Sequence, residues 1–297
     1  MAKQSLVEGL YTALVTPFDD QLQIDETSWR RLLDFQASGK VNGVVVSGTT
    51  GESPTLNSSE FDFLVRSARE HLGNNIRLWV GTGTNVTEAS IQRSKRAAEL
   101  GADGLLLVTP YYNKPTQAGL KHHFFSIADS VDLPVMLYNV PGRTGTLIET
   151  DSILELSRHP NIVASKEATG NMSQILDLIT NAPDDYSILA GDDPLTLPVI
   201  AAGGTGVVSV TSNIVPGLMQ ALVKDSLAGN LDSAKQINKK LWPLMNAAFS
   251  ESNPIPVKSA LGLMGVIHPY LRPPLSQLSE PNQKRLKQVL TDLNLIE

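Results

Sequence analysis

Gly104-Leu105-Leu106-Leu107-Val108, the loop Thr109-Pro110-Tyr111-Tyr112-Asn113, a stretch of helical period over 117–130, and Val135-Met136-Leu137-Tyr138 make one strand–loop–helix–strand unit. Both strands are continuously apolar rather than alternating, as parallel strands covered on both faces are. The same unit recurs on either side. Apolar runs fall at 10–15, 43–47, 77–81, 104–108, 135–138, 162–165, 186–190 and 206–210. Helical periods fall between and after them at 25–38, 59–72, 87–100, 117–130, 149–158, 172–181, 194–202 and 216–228. Asp25 is a candidate cap for the first of these, and Gly101 a stop for the third. Strict alternation of eight strands with eight helices predicts an α/β fold, a (β/α)8 TIM barrel. A doubly wound open sheet is the main rival. It calls for a glycine-rich turn after the first strand, where Thr16-Pro17-Phe18-Asp19 stands instead. Gly81-Thr82-Gly83 also fails that fingerprint, because Val86 occupies the third glycine position. After Gly229 the period is helical only, at 231–250, 256–264 and 281–293, with a proline-rich link at 269–274. The expected organisation is a barrel over 1–228 and a C-terminal helical appendage over 229–297.

Composition narrows the functions. The chain has 41% hydrophobic and 18% charged residues, enough to bury a full core, and a net charge of −6. Without a basic run, nucleic acid and anionic membrane are poor partners. With no cysteine, disulfides, thiolate metal sites and cysteine nucleophiles are excluded. The segment 1–9 has no apolar run of signal-peptide length, and no run in the chain approaches the ~18 residues of a membrane span. A cytoplasmic location is expected, and on that reading the sequons at Asn57, Asn85 and Asn171 carry no meaning.

Within the sixth strand, Ile162-Val163-Ala164-Ser165-Lys166-Glu167-Ala168, a lysine follows β-branched and small residues. Burial disfavours its charged form, and a neutral amine attacks carbonyl carbon. The alternative is a lysine that snorkels from an edge or pairs with Glu167. Barrel active sites form at strand C-termini. Those positions hold Thr16, Gly48-Thr49-Thr50-Gly51-Glu52, Thr109 to Asn113, Tyr138-Asn139-Val140-Pro141-Gly142-Arg143, Lys166-Glu167, Gly191-Asp192-Asp193, and Ser209 to Asn213. Taken singly, each set has an ordinary structural use as a cap, a rim tyrosine or a helix start. Together, a lysine, tyrosines, a threonine pair and an arginine suit condensation with a ketone. The iminium acts as an electron sink, and hydroxyls move the protons. The five histidines show no metal-binding spacing, which disfavours a metal-dependent aldolase or amidohydrolase.

The four motifs Gly48 to Glu52, Thr109 to Asn113, Tyr138 to Thr144 and Lys166-Glu167 resemble the signatures of the dihydrodipicolinate synthase family. That family is one of the pyruvate-dependent class I lyases, which include N-acetylneuraminate lyase. The resemblance runs from about Gly9 to the C-terminus, in family order and spacing. It implies a Schiff base between Lys166 and pyruvate, with no cofactor beyond that covalent imine. It implies a proton relay of Tyr138, Thr49 and Tyr112, the last reaching into a neighbouring subunit. Thr50 would hold the pyruvate carboxylate, Arg143 the carboxylate of L-aspartate 4-semialdehyde, and Gly191 and Val208 would line the site through backbone groups. A homotetramer, as a dimer of dimers, is implied as well. A sister lyase acting on a sugar acid remains the near alternative. Thr49-Thr50, where neuraminate lyases commonly have Ser-Thr, and Arg143 favour the synthase. A barrel that binds without catalysis is the alternative of another class. At the family's lysine-inhibition site Ser53, Asn85 and Tyr111 match, whereas Ser58, Phe61 and Ala89 replace two histidines and a glutamate. The expectation is weak or absent inhibition by lysine.

Overall fold

In the computed structural model, which describes residues 7–297, eight strands pair in chain order and close into a barrel. Residues 1–6, part of the N-terminal segment discussed above, lie outside the described residues. The strands are β1 (Gly9–Ala13), β2 (Gly43–Val46), β3 (Arg77–Gly81), β4 (Gly104–Val108), β5 (Val135–Asn139), β6 (Ile162–Glu167), β7 (Ser187–Ala190) and β8 (Gly206–Ser209). Every pairing is parallel, including the closure of β1 on β8. The open-sheet alternative is thereby excluded.

The helices that cover the barrel start where local chemistry permits. In α1 (Glu26–Ser38) the Asp25 side chain accepts from the Ser28 N–H, as the sequence suggested. In α2 (Ser58–Leu72) the cap is Asn57, whose side chain and that of Glu60 satisfy each other's backbone N–H groups. α3 (Thr87–Glu99) is followed by Gly101 at φ +89°, a left-handed turn that ends it. α4 (Gln117–Ala128) leads into β5, and one unforeseen turn, α5 (Pro141–Thr144), follows β5. Pro141 presets its first residue, and Gly145 at φ +71° ends it. Next come α6 (Thr150–Leu156), shorter than its sequence period, and α7 (Met172–Asn181). The period at 194–202 resolves into a 3₁₀ turn over Asp193–Leu195 and α8 (Thr196–Ala201). α9 (Pro216–Leu227) completes the ring. Beyond it, α10 (Leu231–Ala247), α11 (Ile255–Leu263) and α12 (Glu280–Asp292) pack against one another and the barrel.

Both faces of each strand are buried, which explains the continuous apolar runs. Along β2, Val44 and Val46 face the helices in the main core, whereas Val45 faces the interior. Tyr11 and Trp79 meet edge to face in that interior, with centroids 6.2 Å apart. The strands admit these rings only because Gly43 and Gly104 lack a Cβ: one added there would lie 2.5 Å and 2.8 Å from ring carbons of Tyr11 and Trp79. Leu241, Leu244, Met245, Val257 and Leu261 of the C-terminal helices belong to the same core as Leu10 and Leu105. No helix among the described residues is long and apolar enough to cross a membrane.

Candidate active site

Strand alternation sets the orientation of the two charged residues of β6. Lys166 is buried in register with Tyr138 on one side and Leu189 on the other. Its Nζ lies 4.2 Å from the centroid of the Tyr138 ring. Glu167, one residue on, points to the opposite face, as a period of two requires. Its Oε2 accepts a hydrogen bond from Asn139 Nδ2 at 3.1 Å, and burial pushes the carboxyl up to about 7 despite that bond. Neither alternative use of Lys166 survives: it belongs to a closed barrel with no edge, and Glu167 has another partner. Asp192 at the end of β7 feels the lysine charge, but burial dominates and raises its pKa.

The loop after β2 carries the threonine pair. It turns sharply, with Ser47 at φ +57° and Glu52 at φ +54°, both in the left-handed region that is unfavourable for residues with a Cβ. A buried ionic joint holds that turn. Glu52 Oε1 accepts from Lys258 Nζ at 2.7 Å, and Glu52 Oε2 accepts from the Arg272 N–H at 3.0 Å. Lys258 also donates to the Thr16 carbonyl at 2.8 Å, and Thr16 Oγ1 donates to the Gly51 carbonyl at 2.7 Å. Lys258 Nζ and Arg272 Cζ each lie 4.2 Å from the centroid of the Phe18 ring. The loop is fixed by the C-terminal region, not by its own residues alone.

Asn253 extends that control to the site itself. Its side-chain amide donates to Thr50 Oγ1 at 2.8 Å, and its carbonyl accepts from Arg143 Nη2 at 3.4 Å. Because Thr50 Oγ1 accepts there, its own proton is free to point elsewhere. Arg143 comes from α5 and is exposed. Thr49, Tyr111, Val140, Arg143, Thr144 and Arg93 are among the residues lining a cavity of about 220 Å³ at this end of the barrel. Gly191 and Val208 are buried; the Gly191 N–H donates to the Glu167 carbonyl at 2.7 Å, and Val208 faces the interior with Tyr138 and Leu189.

Tyr112 stands apart from this group. It is 90% exposed at φ +74°, and the cavity wall contains Tyr111 instead. Of the sequence-selected residues, Lys166, Tyr138, Thr49, Thr50, Arg143, Gly191 and Val208 thus gather at the strand C-termini, whereas Tyr112 projects into solvent. Sequence reasoning missed Asn253 and Lys258. Lys258 had a readable signal, a lone cation in the apolar helix Ile255–Leu263, the same signal that marked Lys166.

A sequence profile of the dihydrodipicolinate synthetase family matches residues 6–293. The chain is 44% identical over 290 residues to 4-hydroxy-tetrahydrodipicolinate synthase of Protochlamydia amoebophila, covering 97% of each chain. Among solved structures it is similar to dihydrodipicolinate synthase from Thermotoga maritima, at 42% identity and a TM-score of 0.95 over 97% of this chain and 99% of that one. It is likewise similar to the Aquifex aeolicus enzyme, at 39% identity and a TM-score of 0.95 over 97% and 98%.

Proposed function

The chain belongs to the dihydrodipicolinate synthetase family, and from that premise we propose that it condenses pyruvate with L-aspartate 4-semialdehyde through an imine on Lys166. The product is 4-hydroxy-tetrahydrodipicolinate, a step of lysine and diaminopimelate biosynthesis. The observation that carries the mechanism is Lys166 itself: a buried amine on the barrel interior, against the Tyr138 ring and facing away from Glu167.

The steps follow from the groups present. The Lys166 amine adds to the pyruvate ketone, and loss of water leaves an iminium. Loss of a methyl proton gives an enamine, whose carbon attacks the semialdehyde carbonyl. The amine of the second substrate then closes on the imine carbon and releases the lysine. Tyr138, whose ring lies against Nζ, is on this reading the proton carrier, with Thr49 and Tyr112 as its relay. The exposure of Tyr112 supports a role across a subunit boundary, since a phenol has little reason to stand in solvent on a strained backbone. The hydroxyl proton that Asn253 leaves free on Thr50 suits the pyruvate carboxylate. The Arg143 fork suits the second carboxylate, and Gly191 and Val208 offer backbone groups beside Lys166.

On this reading the covalent imine supplies the electron sink, and the reaction needs no separate cofactor. We further propose a cytoplasmic homotetramer, a dimer of dimers, with residues 1–228 as catalytic barrel and 229–297 as the helical region that anchors the Thr49–Thr50 loop. A coupled assay decides between this reaction and that of a sister lyase. Turnover with pyruvate and aspartate semialdehyde, but not with pyruvate and a panel of sugar aldehydes, is expected. The reverse preference contradicts the proposal.

A further inference from the structure

The cavity beside the barrel mouth carries a charge that the reaction above does not use. Two guanidinium groups, Arg93 and Arg143, line one space of about 220 Å³, and no carboxylate lines it. Arg143 has a place in the proposed chemistry, whereas Arg93 has none. Arg93 stands on α3 one turn after Ala89, so the two share a helix face. Its Cζ lies 4.7 Å from the centroid of the Phe61 ring, its Nη2 donates to Ser47 Oγ at 3.2 Å, and its Nε is buried with no acceptor. Burial draws the guanidinium below its ordinary pKa.

The acids around it are committed elsewhere. Asp62 binds Arg96 through both carboxylate oxygens, Glu88 accepts from Gln92 Nε2 at 2.7 Å, and Glu52 is held by Lys258 and the Arg272 backbone. Packing on Phe61 alone would be served by a leucine without the penalty of desolvating a cation. A half-buried cation that lacks a counter-ion within the fold, and has an orphan donor, is matched by an anion from outside.

We propose that this cavity binds a small dicarboxylate, one carboxylate on Arg93 and the other on Arg143. Guanidinium groups recognise carboxylates through paired N–H donors, and one dianion between two cations removes their mutual repulsion. Ser53 and Tyr111 in the same wall add hydroxyls. Such a ligand binds whether or not Lys166 carries pyruvate.

Calorimetric titration of the intact protein with malonate, succinate and glutarate tests this, at ionic strength held constant with chloride and with acetate as the one-carboxylate comparison. At least one diacid is expected to bind at least tenfold tighter than acetate. Arg93→Leu, which keeps apolar packing on Phe61, is expected to bring that diacid to the acetate level. Arg93→Lys, which keeps a cation but loses the fork, should fall between the two and serves as the test where the leucine variant does not fold. Diacids no tighter than acetate, or a tight diacid unweakened in both variants, overturn the proposal. Borohydride trapping of pyruvate by the Arg93 variants reports separately on Lys166, so a failed imine mechanism is not mistaken for a failed diacid site.

Discussion

Replacing Glu167 by glutamine should make the protein more stable at neutral pH and leave it nearly unchanged in mild acid. Glu167 is buried, with Asn139 Nδ2 on one oxygen and no hydrogen-bond partner on the other. The groups around it are Asn139, Ser165 and the Tyr186 hydroxyl, itself buried and raised in pKa first by burial and then by the Glu167 charge. None is a cation, so nothing offsets the desolvation of a carboxylate. The unfolded chain releases this proton near 4.5 and the folded chain near 7. Between those values the folded state binds more protons. The stabilisation is therefore complete below about 4.5 and lost as pH rises through about 7. The difference of 2.5 pH units between 4.5 and about 7, at 1.36 kcal/mol per unit, is on the order of 3 kcal/mol. Glutamine keeps the shape and cannot ionise. The assay is a thermal melt of both proteins at steps from pH 5 to 8.5. The variant's midpoint should move above that of the wild type by roughly 5 °C or more at the alkaline end. Other titrating groups, including His123, which burial lowers to about 4, are common to both and cancel. Melting curves that stay parallel over the whole range would mean instead that Glu167 titrates alike in the folded and unfolded chain.

Three further outcomes follow from named contacts. Lys258→Met leaves the Glu52 carboxylate buried without its cation and should cost about 3–5 kcal/mol in chemical denaturation; it should also raise KM for pyruvate, because the Thr49–Thr50 turn loosens, and a loss below 1 kcal/mol contradicts the joint. Mixing Tyr112→Phe subunits with Lys166→Ala subunits should restore activity to some sites, and verified mixed oligomers with no recovery would put Tyr112 at work within its own chain. Titration with L-lysine should leave the initial rate nearly unaffected, since Ala89 offers no anion and Glu88 is turned to Gln92; half-inhibition below about 1 mM, near 4 kcal/mol of binding, would show otherwise.

The barrel was legible because its signal is local and repeated. A strand buried on both faces must be apolar throughout, and the intervening helices keep a period of 3.6. Details that depend on a choice between near-equivalent residues were not legible. α2 starts at Ser58 rather than Ser59 because Asn57 caps it, standing three residues before a glutamate that can reach back. The single turn Pro141–Thr144 is too short to show a period. The orientation of Lys166 became definite only with the register, since seven residues of sequence cannot say which face is the interior. The contacts that hold the Thr49–Thr50 loop span 203 residues from Asn253 to Thr50 and 206 from Lys258 to Glu52. No local pattern encodes such a pairing. Only the oddity of a charge in an apolar helix marks one end of it.

If the Lys166 amine forms the imine with pyruvate, mass spectrometry after borohydride reduction will show it. Reduction in the presence of pyruvate should add one pyruvate-derived mass to the peptide that contains Lys166, and Lys166→Arg, which keeps the charge but cannot form the imine, should give neither label nor turnover. A label on another lysine, with Lys166 unmodified in an active protein, would rule out an imine on Lys166.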